Sequence, residues 1–277
     1  MRRLYLLLLV VGLATGCIRQ PVHECDGPLN ISLVWPENQQ VPGAKIWLYS
    51  SSGLLHLMTE CPAGGYQGFV PADTYTVLVV NSDYANATYA SRDAVQNSTI
   101  QVAARSTDPG TIQQVDRVFC TGAGSVVVQQ GDQPTGITLY PKNTVKRLHF
   151  LLDASSATAE IVGLDLCMTG IIPSVRVMDG SDAGDTPKRV VVTAEETGGW
   201  TYAADMSMFG WRDDNAFTIT ARYADGTEAI TAPLVTTQLQ GLPEEGGTVN
   251  VTLALSNGDE LVVRVTWEGG SGEGTVF

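Results

Sequence analysis

Basic residues are few in this chain of 277 residues: 16 lysines and arginines stand against 29 aspartates and glutamates, a formal charge of −13. They form no cluster. Nucleic acid, whose binding needs grouped Lys and Arg to neutralise phosphates, is therefore excluded as a partner. Histidine is scarcer still. His23, His56 and His149 lie far apart in sequence and no CxxC pair occurs, so the usual ligand spacings of a structural zinc site are missing. Also absent are GxSxG, HExxH, GxxxxGK[ST] and a GxGxxG run opening a helix. No catalytic residue, cofactor or metal site is assigned, and no enzyme is expected. The carboxylates Asp179, Asp182 and Asp185 of "DGSDAGD" repeat every three residues, unlike the alternating ligands of an EF-hand, and read as a solvated turn. Glu195 with Glu196, and Glu244 with Glu245, read as surface charge, because neighbours on a strand point to opposite faces and cannot form a glycosidase dyad.

Long apolar runs are missing beyond the first twenty residues. The chain opens "MRRLYLLLLVVGLATGC": two arginines, then an apolar stretch at residues 4–13 that is about half of the ~20 residues a membrane-spanning helix needs. That is the layout of an export signal. Its ending, "LATGC", resembles the bacterial lipobox. The resemblance implies a signal peptide over residues 1–16, cleavage after Gly16, and a Cys17 carrying thioether-linked diacylglycerol and an acylated amine. Two or three acyl chains hold a protein firmly to a membrane without a spanning helix. Residues 17–27 are then a lipidated tether. Four further cysteines remain, Cys25, Cys61, Cys120 and Cys167. In an exported protein they permit up to two disulfides in any of three pairings, or stay as buried thiols.

What the sequence has in abundance is alternation. "LNISLVW" places Leu29, Ile31, Leu33 and Trp35 on one face, "AFTITARY" does the same with Phe217, Ile219, Ala221 and Tyr223, and "VKRLHFLLD" sets Leu148, Phe150 and Leu152 opposite Arg147 and His149. "VNVTLALS" and "ELVVRVTW" repeat the period of two. Such runs are half-buried strands. Shorter apolar runs fall between Gly-, Pro-, Asp-, Asn- and Ser-rich turns, the pattern of sandwiches or barrels rather than of βαβ units. Helical signal is confined to "YASRDAVQN", which suits one short helix. The strands divide at "YPKNT", giving an all-β chain of two tandem antiparallel β-sandwiches, residues 28–142 and 143–268, with a flexible tail over 269–277. Trp200, Tyr202, Phe209 and Trp211 are assigned to core and edge before a sugar-stacking platform.

Taken in order, the lipobox, "CDGPLNISLVWPENQQVPGAKIWLYSSSG", "FVPADTYTVLVVNSD", "VKRLHFLLD", "LDLCMTGIIPSV", "MFGW", "FTITARYADGTEAITAPLVTTQL" and "GDELVVRVTWEGG" resemble the fimbrial anchor and minor-subunit lipoproteins of the Bacteroidales, the FimB-like or fimbrillin-associated anchor group. That resemblance implies transthyretin-like sandwiches on an outer-membrane lipid anchor at the cell surface. It also implies partners that are fimbrial subunits joined by β-strand complementation, for which the tail "GTVF" is a candidate donor strand. The alternative expectation is a surface lipoprotein that binds glycan for nutrient capture, with Trp200 or Trp211 as the stacking residue.

Overall fold

The computed structural model describes residues 25–91, 94–157, 159–231, 234–235, 246–255 and 261–268, with backbone alone for 234–235, 251–255 and 261–268. Cys17, His23, Glu244, Glu245 and the tail lie outside the described residues. Strands dominate, as the alternation requires. The first half contributes β1 (Asp26–Leu33), β2 (Gly43–Tyr49), β3 (Leu55–Pro62), β4 (Gly65–Pro71), β5 (Asp73–Asn81), β6 (Ala87–Ala90), β7 (Thr99–Val102), β8 (Ala104–Arg105), β9 (Asp108–Ile112), β10 (Phe119–Val128), β11 (Thr135–Leu139) and β12 (Lys142–Asn143). The second contributes β13 (Lys146–Ser156), β14 (Ile161–Ile171), β15 (Ser174–Arg176), β16 (Lys188–Gly198), β17 (Thr201–Met208), β18 (Ala216–Tyr223), β19 (Glu228–Ile230), β20 (Leu234–Val235), β21 (Gly246–Leu255) and β22 (Leu261–Glu268).

Two sheets make the first sandwich. One runs β11-β1-β4 and the other β12-β10-β5-β2-β3. Between them lie Leu29, Ile31 and Leu33 of β1, Ala44, Ile46 and Leu48 of β2, and Tyr75, Val77 and Val79 of β5. All are inward positions of period-two strands. At Gly65 close approach dictates the residue: its φ is +120°, and a Cβ there would overlap the Ile31 carbonyl oxygen of the neighbouring β1.

The second sandwich is one long sheet, β19-β18-β14-β16-β17-β13-β21-β22, folded on itself. Strand β16 serves both layers, pairing with β14 up to Ala194 and with β17 from Glu195 onward. Facing side chains meet across the core, as Phe150 of β13 and Phe217 of β18 do at 6.2 Å between ring centroids. The "YADGT" stretch turns β18 into β19, with Asp225 Oδ1 accepting from the Thr227 amide and hydroxyl.

Residues 82–118 belong by sequence to the first half, yet they bind the second. β7 pairs with β15, β9 pairs with β16 in parallel, and β6 and β7 form a small sheet with β15. This crossing segment buries Val95, Ile100, Val102, Ile112 and Val115 in a core that is continuous with the second sandwich and with the outer face of β2, β5 and β10. Burying five aliphatic side chains contributes on the order of 10 kcal/mol before the cost of ordering them. Of the helix expected over "YASRDAVQN", a single 3₁₀ turn, Val95–Asn97, is formed. Tyr89 and Ala90 instead extend β6, where they pair with Ile100 and Thr99 of β7.

Candidate functional site: an open edge on the first sandwich

Strand β2 alternates strictly. Ala44, Ile46 and Leu48 enter the sandwich core, while Trp47 and Tyr49 face outward toward the crossing segment. Its partner β3 ends the five-stranded sheet. On β3, Leu57 and Cys61 pack toward the core, and Met58, placed opposite Trp47, shares the outward face. The register slips by one residue between Leu48 and Tyr49, so that Leu55 stands opposite Tyr49. Such a bulge bends an edge and ends regular pairing. The remaining stretch, 57–61, keeps an unbroken register with β2, and alternate residues of an edge strand turn their N–H and C=O away from their one neighbour. Leu54 is 70% exposed and Met58 65%.

The crossing segment covers part of this face. Tyr89 of β6 lies flat on Trp47, 4.3 Å between centroids and 13° between planes. Its hydroxyl meets that of Tyr49 at 2.6 Å, and burial pushes the Tyr89 phenol well above its ordinary pKa. Beside it Lys45 sits 5.1 Å over the Tyr84 ring and 3.6 Å from Glu60. Because β6 is itself the last strand of its sheet, two edges that are unpaired among the described residues, β3 and β6, border one cleft. It measures about 370 Å³ and is lined by Trp47, Met58, Tyr84 and Tyr89, with Lys45 and Glu60 on its rim. Chemically the cleft sets backbone groups of two terminal strands beside an apolar pocket the size of one or two side chains.

The residues singled out in the sequence are placed elsewhere. Asp182 forms a two-pronged ion pair with Arg212, at 2.8 and 3.1 Å, and Arg212 first of all holds its carboxyl below the usual range. Asp179 accepts from Ser181, and Asp185 from Ser174 at 2.5 Å. Among the described residues no three His, Cys, Asp or Glu side chains gather as a metal site. Glu195 and Glu196 are exposed. Tyr202 and Phe209 are each only 4% exposed, so neither can stack on a sugar. Trp211 packs against the core beneath Lys146, 5.3 Å from its ring, and Trp200 stands at a hairpin tip with φ +67°. His149 bonds Asp205 at 2.7 Å on an exposed face, and His56 leans on Tyr75. Cys25, Cys61, Cys120 and Cys167 are free thiols. Burial pushes the Cys120 thiol up to about 12.

Sequence reading did not single out Met58, Tyr84 or Tyr89. One signal was present. "LLHLMT" carries leucine or methionine on both parities of a strand, more apolar surface than one buried face can use.

No family model matches the chain, nor does any curated protein. Solved structures do. A candidate adhesin from Bacteroides ovatus superposes with a TM-score of 0.66 at 12% identity, over 88% of this chain and 95% of that one. The fimbrial anchor protein Mfa2 of Porphyromonas gingivalis gives 0.59 at 13%, over 87% and 98%. A candidate polysaccharide-binding protein of Bacteroides thetaiotaomicron gives 0.58 at 12%, over 89% and 97%. Near-complete coverage in both directions means that the whole architecture is shared, not one sandwich of it. The chain has the all-β fold of this group of adhesin and fimbrial-anchor structures.

Proposed function

We propose that this protein is a non-catalytic outer-membrane lipoprotein, held at the cell surface by lipid on Cys17, which serves as an anchor or accessory subunit of a fimbria and takes up a neighbour's strand along β3. The observation that carries this reading is the likeness to the Mfa2 fimbrial anchor over nearly the whole of both chains. The lipobox-like ending at Cys17 supports the anchoring half of the proposal. Supporting the strand-addition half is the edge of β3, unpaired among the described residues and beside an apolar cleft, since an extended segment can gain ladder hydrogen bonds and side-chain burial there together. An anchor of this kind needs a lipid at one end and a receptor edge at the other.

The test is a pull-down of the tagged full-length protein from outer membranes, comparing wild type with Cys17→Ala and identifying the co-purifying proteins by mass spectrometry. Fimbrial subunits should come down with the wild type, and the variant should shed them into the medium. A deletion strain with normal fimbrial number, length and attachment would sink the fimbrial assignment even if the protein proves to be lipidated.

A further inference from the structure

A larger cleft, about 750 Å³, opens at the seam between the two sandwiches and shares no lining residue with the cleft beside β3. Its volume lies within the range of small-molecule sites, which favour such seams. One wall comes from the segments flanking the first sandwich, Trp35 with Glu37 and Tyr140 with Lys142; the other comes from Lys146 and Asp179. Trp35 is fixed in place: its Nε1 donates to the Ala63 carbonyl at 2.7 Å and its ring meets Phe119 edge-on at 6.0 Å. With its one polar atom satisfied, it offers the cleft an apolar surface. Tyr140 is 61% exposed. Among the described residues, the Tyr140 hydroxyl, the Lys142 ammonium and the Glu37 carboxylate have no hydrogen-bond or ion-pair partner.

The floor, by contrast, is tied down. Asn143 exchanges two hydrogen bonds of 3.1 Å with Val145, Thr144 Oγ1 donates to the Val118 carbonyl at 3.0 Å, and Asp179 accepts from the Ser181 amide and hydroxyl at 2.9 and 2.7 Å. A cleft whose floor is rigid and whose free polar groups stand beside aromatic rings is preorganised for a compact ligand.

We propose that this seam cleft binds a neutral carbohydrate. Two lysines face two carboxylates, so the site carries no net charge to reward a nucleotide or a polyanion. Free polar groups on the wall would be stripped of water without replacement by a hydrocarbon ligand. A peptide would want a strand edge, and β12, the strand that lines the cleft, is two residues long. A sugar ring meets each condition, laying its C–H face on Tyr140 and Trp35 while its hydroxyls reach Glu37 and Lys142. The site is independent of strand addition at β3.

The experiment applies the full-length lipidated protein in detergent to an array of neutral and acidic oligosaccharides, then titrates the strongest neutral hit calorimetrically. Tyr140→Ala and Glu37→Gln should each weaken binding about tenfold or more, equivalent to about 1.4 kcal/mol, at unchanged melting temperature, and Met58→Lys should leave it intact. An array silent for neutral sugars overturns the proposal. So does a neutral hit whose affinity ignores both cleft variants.

Discussion

Tyr89 covers Trp47 face to face, at 4.3 Å between ring centroids, and by doing so joins the crossing segment to the first sandwich. The stack rests on dispersion, and Tyr89 adds a hydroxyl contact with Tyr49. Tyr89→Phe keeps the stack but removes the 2.6 Å contact, and should lower stability by about 1 kcal/mol. Tyr89→Ala removes both and should cost about 2–4 kcal/mol. Urea denaturation of the three proteins decides it, and an alanine variant as stable as wild type would show that the stack is incidental.

The β3 edge makes a different demand. Met58 is 65% exposed and opposite Trp47, so Met58→Lys should change folding stability by no more than about 0.5 kcal/mol. It would, however, put a charge at the mouth of the apolar cleft, and co-purification of fimbrial subunits should be lost. Ile230→Lys on β19, equally exposed at 64%, serves as the control that leaves co-purification intact. If both variants behave like wild type, β3 is not the receiving strand.

How much of this was legible beforehand depends on where strand partners lie. The alternation of Leu29, Ile31 and Leu33, and of Phe217, Ile219, Ala221 and Tyr223, predicts faces that are buried in the structure. Each is decided by a strand's own two faces. Residues 82–118 gave no such signal, because β6 to β9 are two to five residues long and pack against β2, β15 and β16, distant in sequence. Tyr89 illustrates the loss: its local sequence suits a helix, and what overrides it is the ring of Trp47. The edge character of β3 was equally hidden, since an edge is a property of sheet order and not of any one strand. Cys17 is the reverse case, named from a local motif and lying outside the described residues.

Acid should loosen the contact between β9 and β16. Asp108 accepts from Arg189 at 2.6 Å and from Thr111 at 2.6 Å, and the guanidinium first of all holds its carboxyl down to about 2. A carboxylate with a depressed pKa contributes stability that is complete above its unfolded value, near ~3.9, and is lost as the pH falls through the folded one. The gap in melting temperature between wild type and Asp108→Asn should therefore be constant from pH 7 to about 5, shrink between about 4 and 2, and close below that. A gap that persists at the lowest pH would mean that the ion pair is not its source.

Thiol chemistry should sort the cysteines by burial. Cys25 is exposed, whereas Cys120 is buried with its thiol pushed up to about 12, so little thiolate is present to react. Maleimide labelling of the native protein at pH 8, read by peptide mass spectrometry, should modify Cys25 within minutes and Cys120 only after denaturation. Early labelling of Cys120 would contradict the packing around it.

The crossing segment also governs how the molecule would yield under tension. A pull on one sandwich reaches the other through the short covalent step between β12 and β13, through direct packing such as Cys120 against the Arg176 carbonyl, and through the 82–118 strap, fastened by the β7–β15 ladder, the Thr111–Arg189 bridge and Arg105, Lys188 and Gln114. Two beads on a string would unravel one after the other. Here the beads are also held side to side, so drawing them apart means breaking the β7–β15 pairing and the Thr111–Arg189 bridge as well as straightening the covalent step.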